Sequence, residues 1–181
     1  MLTSNFKKLI FGIFMNTTVD GSYVIPSDSV TFKNSNGQSM VWDAISDSQT
    51  QSALLNDLLM TNIVQVNVGS SDTRFIYFRV GTGTTNPTPS DYDLENVNTD
   101  IGCTIVNTSF SDNTNTKVYN VTFSNPTAND ITINEIGMYG KMPYYNNGYK
   151  TGYVMLDRTV LNEPVTIPAG ESRTLTYELT M

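Results

Sequence analysis

The chain has 181 residues, and its 10 Lys and Arg against 17 Asp and Glu give a formal net charge of −7. It has no His and a single cysteine, Cys103, which excludes a Ser-His-Asp triad, a histidine metal site and an intrachain disulfide. The acidic balance argues against direct binding to nucleic acid. No apolar run approaches the roughly 20 residues of a membrane-spanning helix, so we expect no membrane insertion.

The N-terminal third is predicted to carry one or two helices. Residues 2–15 and 47–60 place apolar side chains at helical spacing, whereas residues 22–45 predict weak strands and loops. Lys7-Lys8 followed by a short apolar run is typical of the start of a signal peptide. Because that run is short and no A-x-A cleavage site follows it, we expect the segment to stay in the mature protein.

After residue 61 the apolar pattern changes to a period of two, which predicts β-strands. The predicted strands cover residues 63–68, 75–80, 101–110, 116–124, 130–139, 152–160 and 172–180. Many short strands separated by turn sequences predict a mainly β fold, an antiparallel β-sandwich of jelly-roll or immunoglobulin-like type. We therefore expect a helical attachment segment over residues 1–60 and a β-sandwich domain over residues 61–181.

Several acidic residues are candidates for chemistry. The alternating acids Asp91, Asp93 and Glu95 offer oxygen ligands for calcium, but the EF-hand spacing is absent. The alternative, which we favour, is that Tyr92 and Leu94 point inward and the acids are solvated. Paired carboxylates also suit glycosidase-type catalysis, and the candidate acids are Asp91, Asp93, Glu135, Asp157 and Glu171. Their spacing selects no pair, so we expect no catalytic residue and no enzyme activity.

The turn Gly81-Thr82-Gly83 follows a predicted strand, as phosphate-binding loops do. It lacks both the third glycine of a dinucleotide-binding loop and the Gly-Lys-Ser/Thr of a P-loop. Pro87 and Pro89 also prevent a helix from starting directly after it. We therefore interpret it as a turn between strands and expect no cofactor and no metal.

Glu135 is unusual because it alternates with Ile131 and Ile133, so in a strand without a bulge it shares their buried face. An unpaired buried carboxylate is costly. We therefore predict that an arginine reaches it, with Arg158 or Arg79 as the candidates. The interpretation we carry forward is a buried structural pair of Glu135 and Arg158.

Two groups of residues are predicted to contact partners. The predicted N-terminal helix is more apolar than one buried stripe requires, which suggests contact with a partner or a second copy, although simple packing is the alternative. Its contact residues are Phe6, Leu9, Ile10, Phe11 and Phe14. Tyrosines around a Gly/Asn-rich loop favour a glycan or protein contact, or else cover the end of the core. The contact candidates there are Tyr144, Tyr145 and Tyr149.

The order of motifs from residue 79 onward carries a family resemblance. The motifs are Arg79-Val80-Gly81-Thr82-Gly83-Thr84, Pro87-Thr88-Pro89-Ser90-Asp91-Tyr92-Asp93-Leu94, Val121-Thr122-Phe123-Ser124-Asn125, Ile131-Thr132-Ile133-Asn134-Glu135-Ile136-Gly137-Met138-Tyr139, Met155-Leu156-Asp157-Arg158-Thr159-Val160, Pro164-Val165-Thr166-Ile167-Pro168-Ala169-Gly170-Glu171-Ser172 and Leu175-Thr176-Tyr177-Glu178-Leu179. In this order they resemble small β-sandwich structural proteins of tailed bacteriophage particles. The resemblance covers roughly the last 100 residues.

The resemblance implies a non-enzymatic virion protein that assembles in multiple copies with other virion proteins. We expect a homo-oligomer in the head–tail or tail region of the particle. The alternatives are a capsid decoration or head-fibre protein, and a carbohydrate- or receptor-binding module. The Ser/Thr/Asn-rich composition with only 15% charged residues is typical of such polar assembly surfaces.

Overall fold

The computed structural model describes residues 1–3, 18–19, 22–23, 30–42, 76–111, 114–145 and 149–180. These residues form eleven β-strands and no helix. Among them there is accordingly no helix that could span a membrane. The strands are β1 (Thr18–Val19), β2 (Ser22–Tyr23), β3 (Val30–Lys33), β4 (Ser39–Trp42), β5 (Ile76–Gly81), β6 (Val97–Asn98), β7 (Gly102–Ser111), β8 (Thr116–Ser124), β9 (Ile131–Tyr145), β10 (Tyr149–Ile167) and β11 (Ser172–Thr180). The chain is therefore mainly β, as predicted.

All strand pairs are antiparallel, and the long strands form two sheets. One sheet has four strands in the order β10-β9-β5-β6, and the other has three in the order β11-β8-β7. The two short hairpins β1-β2 and β3-β4 form separate pairs. Gly170 (φ 71°) makes the turn between β10 and β11, and Asn115 (φ 48°) makes the turn between β7 and β8. These residue types adopt positive φ at low cost, so the sequence favours a reversal at each place.

Side chains from both sheets share one hydrophobic core. Phe78 of β5 packs edge-on against Tyr119 of β8 and Tyr177 of β11, with ring centroids 5.4 and 5.1 Å apart. Alternate residues of β5 and β8 point into this core, as the period of two predicted. Phe32 and Met40 of the β3-β4 hairpin are buried in it too, so the predicted attachment segment contributes to the same core.

A polar contact also links the two sheets. The hydroxyl of Tyr177 on β11 donates a hydrogen bond to the buried carboxylate of Asp157 on β10. Asp157 also accepts from Thr159, and the Met1 ammonium lies 3.1 Å from its other oxygen. Burial, with the Asp157 charge adding to it, raises the pKa of Tyr177. The hydroxyl therefore remains protonated and keeps donating.

The first residues run along the edge of the four-stranded sheet. Leu2 forms an antiparallel bridge with Asp157, and the Thr3 amide donates to the carbonyl of Leu156 at 3.0 Å. The predicted helix over residues 2–15 therefore does not include its first two residues, because backbone pairing with β10 holds them extended. The remainder of that helix, the helix over residues 47–60 and the strand over residues 63–68 lie outside the described residues.

Candidate functional site

The segment that joins β5 to β6, residues 82–96, packs against side chains of β9 and β10, and we call it the anchored loop. Its middle, residues 84–90, is exposed apart from a half-buried Pro87. Pro87 and Pro89 have fixed φ and no amide donor, so this segment does not extend the sheet. The loop is held instead by charged side chains that reach it from β9 and β10.

Glu135 of β9 lies beneath the loop and is completely buried. Its carboxylate accepts hydrogen bonds from Arg158 Nε at 2.8 Å and from the amides of Gly83, Asn96 and Glu95 at 3.0, 3.1 and 3.3 Å. A buried carboxylate is tolerated when charged and polar donors satisfy it in this way. Glu135 thus fastens both ends of the loop to the sheet.

Arg158 of β10 is the counter-charge, and only 3% of its surface is exposed. Besides Glu135, its guanidinium contacts Asp91 Oδ2 at 2.9 Å and Glu95 Oε2 at 3.6 Å. Burial alone would lower the pKa of Arg158, but the hydrogen bonds to Asp91 and Glu135 outweigh it and raise the pKa. One planar guanidinium therefore binds three carboxylates, two of which belong to the loop.

The two loop carboxylates also order the exposed part of the loop. Asp91 accepts from the amide of Thr88 at 3.0 Å and from its hydroxyl at 2.6 Å, which closes a turn. Glu95 accepts from the amides of Thr84 and Thr85, each at 3.1 Å. These Thr85 and Thr84 bonds lower the pKa of Glu95. The exposed residues between them are held in one conformation by short, local bonds.

A second contact fixes the loop at Asp93 and Leu94. The buried hydroxyl of Tyr139 donates to Asp93 Oδ1 at 2.5 Å and accepts from the Leu94 amide at 3.2 Å. Leu94 and Tyr139 pack with Met155 in a small apolar cluster. Burial and the neighbouring Asp93 raise the pKa of Tyr139. Arg79 lies over the same tyrosine ring, 5.1 Å from its centroid.

Glycines leave room for the Glu135 carboxylate. A Cβ at Gly81 would lie 2.5 Å from the carbonyl oxygen of Asn96 and would also meet Glu135 Oε1. A Cβ at Gly83 would lie 2.6 Å from the same carboxylate oxygen. The absence of side chains at the two glycines of the Gly81-Thr82-Gly83 turn therefore leaves the space that the buried Glu135 carboxylate occupies.

The arrangement uses its charges internally. Arg158 binds Asp91 and Glu95, and the Tyr139 hydroxyl donates to Asp93. Within the described ranges no group of three or more acidic or cysteine side chains is placed to hold a metal ion. The chemistry that this cluster performs is the fixing of a loop.

The candidate acids of the sequence do not converge on one point. Asp91, Asp93 and Glu135 belong to the anchored loop and its support, whereas Asp157 bonds to Tyr177 and Glu171 is exposed. The predicted pair of Glu135 and Arg158 is present, and Arg79, the other candidate, stacks on tyrosine rings instead. The expectation that the acids at 91 and 95 are merely solvated is wrong, because Arg158 binds both.

The predicted partner contacts have a different outcome. Tyr144 and Tyr145 lie on β9 and Tyr149 on β10, where Tyr145 is the register partner of Tyr149, but their side chains are outside the described part. Phe6, Leu9, Ile10, Phe11 and Phe14 lie outside the described residues altogether. The sequence reasoning missed Asn96 and Tyr139 as loop supports, because only the folded chain brings residues 91–96 next to Glu135 and Tyr139.

This chain is matched by no protein-family model, no curated protein and no solved structure.

Proposed function

We propose that this chain is a non-enzymatic structural component of a tailed bacteriophage virion, present in multiple copies and built on a β-sandwich. The observation that carries the proposal is that the motifs of the resemblance meet in space. Gly83, Asp91, Glu135 and Arg158 come from four of those motifs, and all four take part in anchoring the loop. A loop-fixing unit shared with the phage structural proteins that the chain resembles would explain why these motifs occur in the same order.

A fixed, exposed loop suits assembly. Ordering a loop when it binds costs free energy, and a loop that is already ordered avoids that cost. Here the ion pairs of Arg158 with Asp91 and Glu95 already order the loop in the free chain, so residues 84–90 are presented to a neighbour in one conformation. Repetition of such a contact over many copies gives an avidity that a single contact lacks.

The β-sandwich is the finer part of the proposal. Two antiparallel sheets contribute to one core, and Phe78 packs against tyrosines of both β8 and β11. This supports two layers packed face to face, which is the arrangement of jelly-roll and immunoglobulin-like sandwiches. A rigid two-layer body is a suitable carrier for the anchored loop.

The test is the composition of particles. Tailed particles should be purified by density gradient from a culture whose DNA encodes this sequence. The amount of the chain in these particles should then be measured by mass spectrometry, relative to the major capsid protein. We expect several copies in each particle, and gold-labelled antibodies should place them on the head, the connector or the tail. If the chain occurs only in the particle-free supernatant, the proposal is overturned.

The role of the loop has its own variant pair. Asn86 is exposed in the loop, and Glu163 is exposed on β10, outside the loop. We expect Asn86→Lys to lower incorporation into particles, while Glu163→Lys leaves it unchanged. Equal incorporation of both variants would remove the loop from the proposal.

A further inference from the structure

The sheet edges of the described structure differ in how they are covered. The outer edge of β10 is paired with residues 1–3 at Leu156 and Arg158, and the Ser35 amide donates to its Tyr153 carbonyl. The β6 edge is only two residues long. The β7 edge is interrupted at Val106, which is skipped in the register with β8 and is 57% exposed. Such coverage, shortness and bulging are devices that stop further strands from adding to an edge.

β11 has none of these devices. Its nine residues all pair in register with β8, without a bulge and without proline. In the described ranges no strand lies on its other side. Thr174, Thr176 and Glu178 are exposed, while Tyr177 and Leu179 point into the core. A long, straight edge of this kind is a template for another strand.

The backbone of β11 shows which groups face outward. The carbonyl of Glu171 accepts a hydrogen bond from the amide of Asn125, on the β8 side. Hydrogen-bonding direction alternates along an antiparallel strand. Residues with odd numbers therefore bond to β8, and those with even numbers, from Ser172 to Thr180, direct their amides and carbonyls to the open edge.

We propose that the β11 edge binds the β11 edge of a second copy of this chain, antiparallel and centred on Thr176. This rests on the multi-copy assembly proposed above and names its partner surface. In that register Ser172 faces Thr180 and Thr174 faces Glu178, so every outward-directed residue meets an outward-directed residue. The two three-stranded sheets join into one six-stranded sheet with two-fold symmetry.

Charge favours this occupant. The chain carries a net charge of −7, so two copies repel each other over most approaches. β11 itself carries one cation and one anion, Arg173 and Glu178, and is neutral. The centred register places neither charge opposite its own copy, because Arg173 faces Leu179 and Glu178 faces Thr174. Registers centred on Arg173 or on Glu178 bring like charges together and are disfavoured.

The register predicts a charge test with a matched control. Thr174→Glu places Glu opposite Glu178 twice across the two-fold axis, whereas Thr174→Lys places Lys there. Thr122 faces Thr174 on β8 and shares a 2.7 Å hydrogen bond with it, but it is not at the edge. Thr122→Glu therefore adds the same charge and breaks the same bond without touching the proposed interface.

The measurement is the dimer dissociation constant of the full chain by sedimentation at a series of concentrations. We expect Thr174→Glu to raise it about tenfold, Thr174→Lys to lower it, and Thr122→Glu to leave it near the wild-type value. A backbone pair of variants guards against misfolding. Thr176→Pro removes an outward amide and should abolish the dimer, while Thr176→Val keeps that amide and the dimer.

The outcomes separate this inference from the proposed function. A wild-type chain that stays monomeric at all concentrations, or equal effects of Thr174→Glu and Thr122→Glu, overturns pairing through β11. If the same chain is still found in purified particles, the virion proposal survives without pairing through β11. A chain absent from particles overturns the virion proposal even where the dimer forms.

Discussion

Arg158 Nε lies 2.8 Å from Glu135 Oε2, and both side chains are almost completely removed from solvent. The pair joins two neighbouring strands, but its larger effect is on the loop above it. The other oxygen of Glu135 accepts hydrogen bonds from the amides of Gly83 and Asn96. The other two nitrogens of the Arg158 guanidinium form ion pairs with Asp91 and Glu95. A charge pair inside the sheet thus determines the conformation of a surface segment.

The first prediction concerns removal of the carboxylate. Glu135→Ala leaves the Arg158 guanidinium and several amides buried without their acceptor, so we expect a loss of about 3–5 kcal/mol in unfolding free energy. Denaturant unfolding measures it. Glu163→Ala, an exposed change, is the control and should stay within about 0.5 kcal/mol of wild type. A similar, small effect of both changes would contradict a structural role for Glu135.

The second prediction separates charge from shape at Arg158. Arg158→Lys keeps the positive charge, but an ammonium cannot reproduce the planar contacts with Asp91, Glu95 and Glu135 together. We expect faster hydrogen exchange at the amides of Thr84 and Thr85 in the native state, with the core strands unchanged. Arg173→Lys, at an exposed site, should leave loop exchange as in wild type. Unaltered exchange in Arg158→Lys would show that charge alone holds the loop.

A third prediction concerns the space left by Gly81. Gly81→Ala introduces a Cβ about 2.5 Å from the Asn96 carbonyl, a backbone atom that can move only with the loop. We expect a loss of stability and displaced loop resonances in NMR spectra. Gly102→Ala is the matched change, since its Cβ would have no neighbour nearer than 3.8 Å. Equal stability of the two variants would rule out close packing at Gly81.

The fourth prediction is a pH dependence. Burial alone would raise the pKa of Asp91, but hydrogen bonds from Thr88 and Arg158 outweigh burial and lower it. The Asp91 pKa in the folded chain is thus lower than its value in the unfolded chain, which is about 3.9. The ionised carboxylate therefore stabilises the fold above that pH, and this contribution is lost as the pH falls through the folded pKa. The stability difference between wild type and Asp91→Asn should therefore be largest at neutral pH and shrink below about pH 4. A constant difference across the acid range would contradict this.

The fifth prediction concerns the thiol of Cys103. Burial raises the pKa of this thiol to about 12, so very little of it is thiolate near neutral pH. Iodoacetamide should therefore modify the native chain slowly and the denatured chain fully, as followed by intact mass. Equal rates in the two states would show that the thiol is accessible in the folded protein.

Much of the sheet structure was predictable because apolar alternation directly records which face is buried. The predicted strands over residues 116–124 and 172–180 coincide with β8 and β11. β9 and β10 run further than predicted, to Tyr145 and Ile167. Pro164 is a reason for ending a strand early, yet it lies in the register shift between Val160 and Val165, where the ladder does not need its amide.

The site was predictable only where a charge is buried by the pattern itself. The alternation of Glu135 with Ile133 predicts burial, so its need for an arginine follows from the sequence. The structure buries Glu135 in a different way: Ile133 and Ile136 both pack in the main core, a register shift lies between Ile133 and Glu135, and Glu135 faces the loop. The amides of Gly83 and Asn96 carry no such signal, because the path of a loop determines where a backbone donor points. The burial of Tyr139 beneath Leu94 also depends on the path of the loop, so alternation within β9 does not predict it.

The buried pair also fixes the alignment of the long β9-β10 hairpin. Arg158 is the register partner of Gly137, two residues from Glu135 along β9, and Val160 faces Glu135. A slip of one residue would turn Arg158 to the opposite face and leave Glu135 buried alone. Alternation alone tolerates a slip of two residues, but the contacts of Arg158 with Glu135, Asp91 and Glu95 do not. The same contacts that hold the loop therefore give this hairpin one permitted registration.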